Sequence, residues 1–151
     1  MADVSELYQQ LIVDHSRRPR NYRELRDADL QAEGYNPLCG DRVTLYVKMD
    51  GDVIREVAFQ GAGCAISTAS ASLLTEALKG KTKPEAEAVF EAFHKLVTGL
   101  SGDGGAVASQ LGKLAVFNGV CDYPTRVKCA TLVWHTLRSA LKGEHERVST
   151  E

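Results

Sequence analysis

The amino-acid sequence predicts a single α+β domain, in which helices pack on a small three-stranded antiparallel sheet. Two observations carry this prediction. Apolar and polar side chains alternate from Val43 to Met49, as in a strand with one buried face. Helical spacing of apolar residues recurs before and after that stretch. Because 151 residues make one ordinary domain, we expect one core within residues 1–143 and a flexible tail over 144–151.

The N-terminal half contains the first predicted helix and the predicted sheet. Leu7, Leu11 and Ile12 lie at helical spacing, and Pro19 ends that helix because proline cannot donate a backbone hydrogen bond. Asp50-Gly51 is a favoured hairpin turn. The elements predicted here are a helix over residues 5–18, a weak strand over 30–35, a strong strand over 43–49 and its partner over 53–60.

The C-terminal half is predicted to be helical. Gly80 and Gly143 lie where helix C-terminal caps belong, and Thr82 with Glu85 has the spacing of a capping box. The predicted helices cover residues 65–79, 82–97, 111–117 and 125–142. Residues 98–110 are rich in glycine and serine, which predicts a mobile surface loop.

Composition and charge exclude several classes of protein. Hydrophobic residues at 44% and charged residues at 25% are typical of a globular protein, and a net charge of −2 gives no basic footprint for nucleic acid. Neither a membrane-spanning apolar run nor a signal peptide is apparent. We therefore expect a cytoplasmic protein whose four cysteines are ligands or reactive thiols rather than disulfides.

Three of the cysteines lie where a fold can present side chains. Cys39 precedes the strong strand, Cys64 follows Gly61-Ala62-Gly63 at a strand-to-helix junction, and Cys129 lies about one turn into the last helix. They are far apart in the chain, and the sequence has no Cys-x-x-Cys pair, which argues against a zinc finger. Only the fold could bring these thiols together.

Asp41 is the candidate fourth ligand, because it lies two residues from Cys39. Three thiolates and one carboxylate would complete a tetrahedral site for zinc or iron, with carboxylate the more exchangeable ligand. Arg126 lies three positions before Cys129, on the same helix face, and a cation there would favour thiolate over thiol; Lys128 is a second nearby cation. From spacing alone, buried structural cysteines and a turn-forming aspartate remain an equal alternative.

Read together, three segments resemble the IscU/SufU family of iron–sulfur cluster assembly proteins, which is related to the N-terminal part of NifU. The segments are Pro37-Leu38-Cys39-Gly40-Asp41-Arg42, Phe59-Gln60-Gly61-Ala62-Gly63-Cys64-Ala65-Ile66-Ser67 and Arg126-Val127-Lys128-Cys129-Ala130. The resemblance extends from the first helix to about Lys142. It implies an α+β fold, metal ligands at Cys39, Asp41, Cys64 and Cys129, and a sulfur acceptor at Cys39.

Two features favour the SufU branch of that family. IscU-like scaffolds have histidine where this chain has Lys128, and they lack the extra segment found here around residues 99–118. A protonated lysine amine cannot ligate a metal as imidazole can. The resemblance therefore implies a zinc-bound acceptor of persulfide sulfur, a sulfurtransferase working with a SufS-type cysteine desulfurase and with downstream cluster-assembly proteins rather than an independent enzyme.

Other interpretations stay open at this point. The first alternative is a scaffold on which an iron or [2Fe–2S] centre is assembled at the same ligands and then transferred. A zinc hydrolase is disfavoured because its His-x-Glu and Pro-Cys-x-x-Cys signatures are missing, and a purely structural zinc module because a core of this size should fold without metal.

The remaining polar and aromatic candidates are predicted to be structural. Cys121 is expected in a loop over residues 119–123, as a plain cysteine rather than a ligand. His15, His94 and His145 are expected to be solvated, and His135 to make packing or surface contacts. Trp134 and Leu132 are expected in the core.

Overall fold

A computed structural model of the protein describes residues 4–37, 40–98, 111–143 and 148–149. The helices are α1 (Val4–Arg17), α2 (Ala65–Leu78), α3 (Lys83–Thr98), a 3₁₀ helix (Gly112–Asp122) and α4 (Pro124–Leu141). The strands are β1 (Leu30–Asn36), β2 (Asp41–Asp50), β3 (Val53–Ala62) and β4 (Val148–Ser149). The predicted strands and the helices predicted over 5–18, 65–79, 82–97 and 125–142 are confirmed, with ends that shift by at most two residues.

The strands form one sheet in the order β3-β2-β1-β4. The β1–β2 and β2–β3 pairs are antiparallel, as predicted, with Leu45 opposite Ala32 and Phe59. The β2–β3 register shifts between Lys48 and Met49, where Arg55 is the extra residue of a bulge. This shift places Phe59 on the same face of the sheet as Leu45, where both side chains are buried.

One face of the sheet is covered by α2 and α4, and the core lies between them. Val43, Leu45 and Val47 point into this core, which explains the alternation in the sequence of β2. Gly34 lets α4 approach β1 closely, because a Cβ there would lie 2.2 Å from the Thr136 hydroxyl oxygen. The other face of the sheet is only partly covered, by a small cluster around Leu25.

The single tryptophan fixes α4 against α2 and α3. Trp134 is fully buried and stacks on Phe93 with ring centroids 4.7 Å apart. Its indole N–H donates to the Ser70 hydroxyl at 3.1 Å, and that hydroxyl donates to the Ala130 carbonyl at 2.6 Å. The predicted core positions of Trp134 and Leu132 are therefore confirmed.

The prediction for His15 is wrong. His15 is 1% exposed and lies between α1 and α2, with Nδ1 2.7 Å from the Ser72 hydroxyl. Its Nε2 is 3.6 Å from the Glu76 carboxylate. A histidine can be buried when polar side chains of another helix pair with both of its ring nitrogens. The local sequence does not reveal these partners, because Ser72 lies 57 residues further along the chain.

Two other histidines pack around Phe90, between α3 and α4. His94, expected to be solvated, is half-buried and stacks parallel to the Phe90 ring, with centroids 6.1 Å apart. His135 makes an edge contact to the same ring at 5.3 Å, in agreement with its predicted packing role. His145 lies outside the described residues.

The segment before α4 also differs from its prediction. The short helix expected over 111–117 continues as a 3₁₀ helix to Asp122, so the backbone of Cys121 is helical and not in a loop. The predicted loop over 98–110 lies outside the described residues, except for Thr98 at the end of α3.

The C-terminal segment adds a strand to the predicted sheet. Val148 and Ser149 form β4, which pairs parallel to Gly34 and Tyr35 of β1. The predicted flexibility of the rest of 144–151, and the domain boundary at 143, stay predictions. Within the described part of the chain, every helix is too short or too polar to span a bilayer.

Candidate metal centre

Asp41 begins β2 and is completely buried. The chain reaches it through a tight turn, in which the Gly40 N–H donates to the Asn36 carbonyl at 2.8 Å and Gly40 has a φ of 71°. Glycine adopts this left-handed conformation without steric cost. Cys39, the predicted sulfur acceptor, is the residue before Gly40 and lies outside the described residues.

Cys64 is held by Asp41 and by its own helix. Its backbone N–H donates to Asp41 Oδ1 at 2.9 Å, and its Sγ lies 3.8 Å from Oδ2 of the same carboxylate. Cys64 is also the N-cap of α2, since its Sγ accepts the Ser67 N–H at 3.4 Å. The positive end of the helix dipole therefore faces this exposed sulfur and favours negative charge on it.

Two glycines make the junction between β3 and α2 possible. A Cβ on Gly61 would lie 2.1 Å from the Arg42 carbonyl oxygen, and Gly61 has a φ of 155°. A Cβ on Gly63 would lie 2.7 Å from Asp41 Oδ1. The absence of side chains at both positions lets the backbone before Cys64 approach the start of β2.

Cys129 completes a cluster of three candidate ligands. It lies in the second turn of α4 and is 3% exposed. One ligand atom from each of Asp41, Cys64 and Cys129 lies within 4.8 Å of the other two. A cavity of about 340 Å³ opens beside the two sulfurs. It is lined by Cys64, Ala65, Ile66, Thr125, Arg126 and Cys129.

This donor set fits zinc or iron. Zn–S bonds of about 2.3 Å in a tetrahedron place sulfurs about 3.8 Å apart, so ligand atoms within 4.8 Å need only small movements to share one ion. Two soft sulfur donors beside one harder carboxylate oxygen favour zinc and iron over magnesium or calcium, which prefer oxygen ligands alone. Cys39 precedes Asp41 by two residues in the sequence.

The two predicted supporting cations both lie on α4. The Arg126 side chain is exposed, lines the cavity beside the thiols and has its guanidinium carbon 5.7 Å from the centre of the Tyr123 ring. Lys128 directly precedes Cys129 and is half-buried. Cys121 is on the 3₁₀ helix that leads into α4.

Sequence reasoning missed three residues that shape this cluster. Ser67 supplies the N–H that binds the Cys64 sulfur, and its position three residues after Cys64 is the spacing of an N-cap partner. Gly63 belongs to the glycine-rich junction before Cys64, and its contact with Asp41 depends on the pairing of β2 with β3. Tyr22, whose hydroxyl donates to the Gly61 carbonyl at 2.5 Å, gives no local signal in the sequence.

Together, the fold and the cluster define a small α+β protein with a candidate metal centre made of thiols and a carboxylate. Comparison with known families gives the particular group. The profile of the NifU-like N terminal domain matches residues 7–130. The chain belongs to this family.

Curated relatives carry two kinds of description. An iron–sulfur cluster assembly scaffold protein IscU from Streptococcus pyogenes serotype M1 is 39% identical over 142 residues, which cover 94% of this chain and 87% of the relative. A zinc-dependent sulfurtransferase SufU from Bacillus subtilis (strain 168) is 39% identical over 143 residues, covering 95% of each protein. Both align along nearly their whole length.

Solved structures support the fold. A crystal structure described as an iron–sulfur cluster assembly scaffold protein for the SUF system, from Fervidobacterium islandicum AW-1, superposes with a TM-score of 0.82 at 39% identity. The superposition covers 92% of this chain and 99% of the other. A NifU-like N-terminal protein from Brucella abortus has a TM-score of 0.79 at 22% identity, and that likeness shows the fold alone.

Proposed function

We propose that this protein works in iron–sulfur cluster assembly as an acceptor of sulfur from a cysteine desulfurase, through Cys39. The cluster of Asp41, Cys64 and Cys129 is the observation that carries the proposal, because it is a zinc-type donor set whose member Asp41 follows Cys39 by two residues in the sequence. The relationship to a zinc-dependent sulfurtransferase supports the same activity.

The ligands proposed for zinc are Cys39, Asp41, Cys64 and Cys129. Zinc bound there would keep thiols deprotonated at neutral pH and so preserve their nucleophilicity. The protein supplies the arrangement: Asp41 orients the Cys64 backbone, α2 directs its positive end at the Cys64 sulfur, and Arg126 adds a cation at the cavity. These features surround the position of a metal-bound thiolate with positive charge and with the positive end of a helix dipole.

The proposed reaction is a thiol–persulfide exchange. The Cys39 thiolate attacks the terminal sulfur of the persulfide on the desulfurase cysteine, and a new S–S bond forms on Cys39. The old S–S bond breaks, and the desulfurase cysteine leaves as a thiolate. No external oxidant or reductant is needed, because one persulfide is exchanged for another. The chain then acts as a carrier of sulfur and not as an independent enzyme.

The proposed partners follow from this reaction. A cysteine desulfurase supplies the persulfide, and downstream cluster-assembly proteins take the sulfur. Because the site needs its cysteines as thiolates, we expect the protein to work in a reducing compartment such as the cytosol.

A scaffold for a [2Fe–2S] cluster is the second candidate function. The IscU description of the Streptococcus relative favours it, and the same side chains could hold such a cluster as cargo. Lys128 argues against it, because a lysine stands where IscU-like scaffolds have a histidine beside the last cysteine. Aerobic purification separates the two: a colourless protein containing zinc supports sulfur transfer, and a brown protein containing iron and acid-labile sulfide supports the scaffold.

Sulfur acceptance is tested with a purified desulfurase and cysteine. Mass spectrometry of the intact protein should show one added sulfur in the parent and none in Cys39→Ala, while Cys121→Ser serves as the matched control and should accept sulfur normally. Unchanged sulfur acceptance by Cys39→Ala would remove the proposal.

A further inference from the structure

Tyr22 connects the loop after α1 to the β3 strand that carries the candidate site. Its ring packs edge-on against Phe59, with centroids 5.1 Å apart. Its hydroxyl donates to the Gly61 carbonyl at 2.5 Å and accepts from the Gly61 N–H at 3.2 Å. One side chain therefore binds both backbone polar groups of a residue three positions before Cys64.

The hydroxyl continues a backbone pairing along the outer edge of β3. The Arg23 N–H donates to the Phe59 carbonyl, and the Phe59 N–H donates to the Asn21 carbonyl. The bridge between Tyr22 and Phe59 is parallel. Along either edge of a strand, the next outward-facing pair of backbone groups lies two residues further on, here at Gly61. The Tyr22 hydroxyl occupies that position, where the backbone of the loop no longer reaches.

Gly61 also pairs with Val43 of β2. A Cβ on Gly61 would lie 2.1 Å from the Arg42 carbonyl oxygen, so this backbone conformation next to β2 leaves no room for a side chain. The Gly61 peptide is thus held on its outer side by Tyr22 and limited on its inner side by Arg42. The position of the Gly61 peptide therefore sets the starting point of the backbone that runs through Ala62 and Gly63 to Cys64.

We propose that Tyr22 is a positioning residue for Cys64, which acts by fixing the Gly61 peptide so that the Cys64 N–H meets Asp41. The effect of Tyr22 on sulfur chemistry rests on the proposed function, in which Cys64 is a zinc ligand. The positioning itself is a property of the metal-free chain. Tyr22 is 45% exposed, so its hydroxyl contributes more to the local geometry than to the core.

The test uses Tyr22→Phe, which keeps the ring on Phe59 and removes the hydroxyl. Tyr46→Phe is the matched control: the Tyr46 hydroxyl donates to the Gln60 side chain at 2.9 Å, one residue from Gly61, without touching the backbone. Tyr22→Phe loses the two hydrogen bonds of an exposed side chain, and Tyr46→Phe loses the single hydrogen bond of a buried one. Both variants should therefore stay folded and melt within about 8 °C of the parent.

The first measurement is amide hydrogen exchange in metal-free protein. We expect Tyr22→Phe to speed exchange at Gly61 and Cys64 by about fivefold, while amides in β1 and α4 stay unchanged. A uniform acceleration along the chain would mean general destabilisation and would overturn the proposal. Unchanged exchange at Cys64 would overturn it as well.

The second measurement is metal binding, by competition with a chromophoric chelator for zinc and by the thiolate-to-metal absorption of bound Co²⁺. We expect Tyr22→Phe to bind zinc about fivefold more weakly and to alter the Co²⁺ spectrum, with Tyr46→Phe like the parent. Equal affinities and spectra in the two variants would contradict the role of Tyr22. A parent that binds neither ion would instead contradict the proposed metal centre, and the exchange experiment would still decide the positioning.

Discussion

Asp41 binds the backbone of Cys64 with one carboxylate oxygen and lies beside its sulfur with the other, at 2.9 Å from the N–H and 3.8 Å from Sγ. The carboxylate therefore has two separable tasks. One oxygen orients the start of α2, and the negative charge makes the second oxygen a candidate metal ligand. Substitutions at Asp41 can remove these tasks one at a time.

Asp41→Asn should weaken zinc binding by more than about tenfold while leaving the fold intact. The amide oxygen can still accept the Cys64 N–H, but the amide is a poor ligand for zinc. Asp41→Ala should bind zinc no more tightly than Asp41→Asn. It should also lose about 1 kcal/mol of folding stability, because the Cys64 N–H loses its acceptor. Zinc competition and urea unfolding measure the two effects. Equal stability of the two variants would contradict the orienting role of the carboxylate.

Gly63→Ala should damage the site more than the fold. The added Cβ would lie 2.7 Å from Asp41 Oδ1 and 3.2 Å from the Ser67 hydroxyl, so the carboxylate must move away from Cys64. We expect about tenfold weaker zinc binding, measured against a chelator.

Gly34→Ala is the control for this substitution. Its Cβ would lie 2.2 Å from the Thr136 hydroxyl, inside the contact of α4 with β1. It should therefore lower the free energy of unfolding by about 1–3 kcal/mol, with the folded fraction still binding zinc normally. Equal effects of Gly63→Ala and Gly34→Ala on zinc binding would argue against a specific contact between Gly63 and Asp41.

The elements could be predicted because their signals are local. Val43, Leu45 and Val47 alternate in β2, and the capping box of Thr82 and Glu85 forms as expected, with each residue binding the other's backbone N–H at 3.1–3.3 Å. Periodicity and caps depend on residues a few positions apart, which a sequence displays directly.

The convergence of the site could be predicted only in part. The hairpin turn after Asp50 sets the start of the β2–β3 register, and a regular ladder would place Asp41 opposite Ala62. The bulge at Arg55 shifts the register by one residue and brings Asp41 next to Gly63 instead. Nothing in the local sequence predicts this bulge. The distant partners of His15 and Tyr22 are hidden for the same reason, because only the assembled fold brings them together.

The buried histidines should make stability fall as the pH is lowered below neutral. Burial lowers the pKa of His15, the nearby Arg20 lowers it further, and Glu76 opposes both. Burial also lowers the pKa of His135, with His94 and Arg138 adding to the effect. The unfolded chain then takes up protons near its ordinary pKa of about 6.5, before the folded chain does. This part of the stability is present above about pH 6.5 and is lost as the pH falls through the lowered values.

Urea unfolding at several pH values between about 7.5 and 5.5 measures this slope. His15→Gln and His135→Gln should each flatten it, whatever their effect on stability at neutral pH. The carboxylates with lowered pKa, such as Asp14 and Glu85, contribute only at more acidic pH, near their own titration. A slope that is the same in the parent and in both variants would contradict the burial of neutral imidazoles.

Arg126→Gln should slow sulfur acceptance without loosening the fold. The guanidinium lines the cavity beside Cys64 and Cys129, where three thiolates and a carboxylate would leave a bound Zn²⁺ with excess negative charge. Removing the cation leaves this negative charge uncompensated and should lower the rate of persulfide transfer by about tenfold. Because Arg126 is exposed and its contact with the Tyr123 ring is weak, the melting temperature should hardly change.

Arg42→Gln is the matched control for Arg126, since Arg42 is also exposed and has its guanidinium 5.6 Å from the centre of a tyrosine ring, that of Tyr35. Arg42 does not line the cavity beside the thiols. Single-turnover sulfur transfer from a desulfurase should therefore slow in Arg126→Gln and stay normal in Arg42→Gln. If both variants slow equally, the two arginines serve the docking of the desulfurase rather than the charge of the thiolates. The salt dependence of the rate would then fall by the same amount in each variant, because exposed charges act on association through screened, long-range attraction.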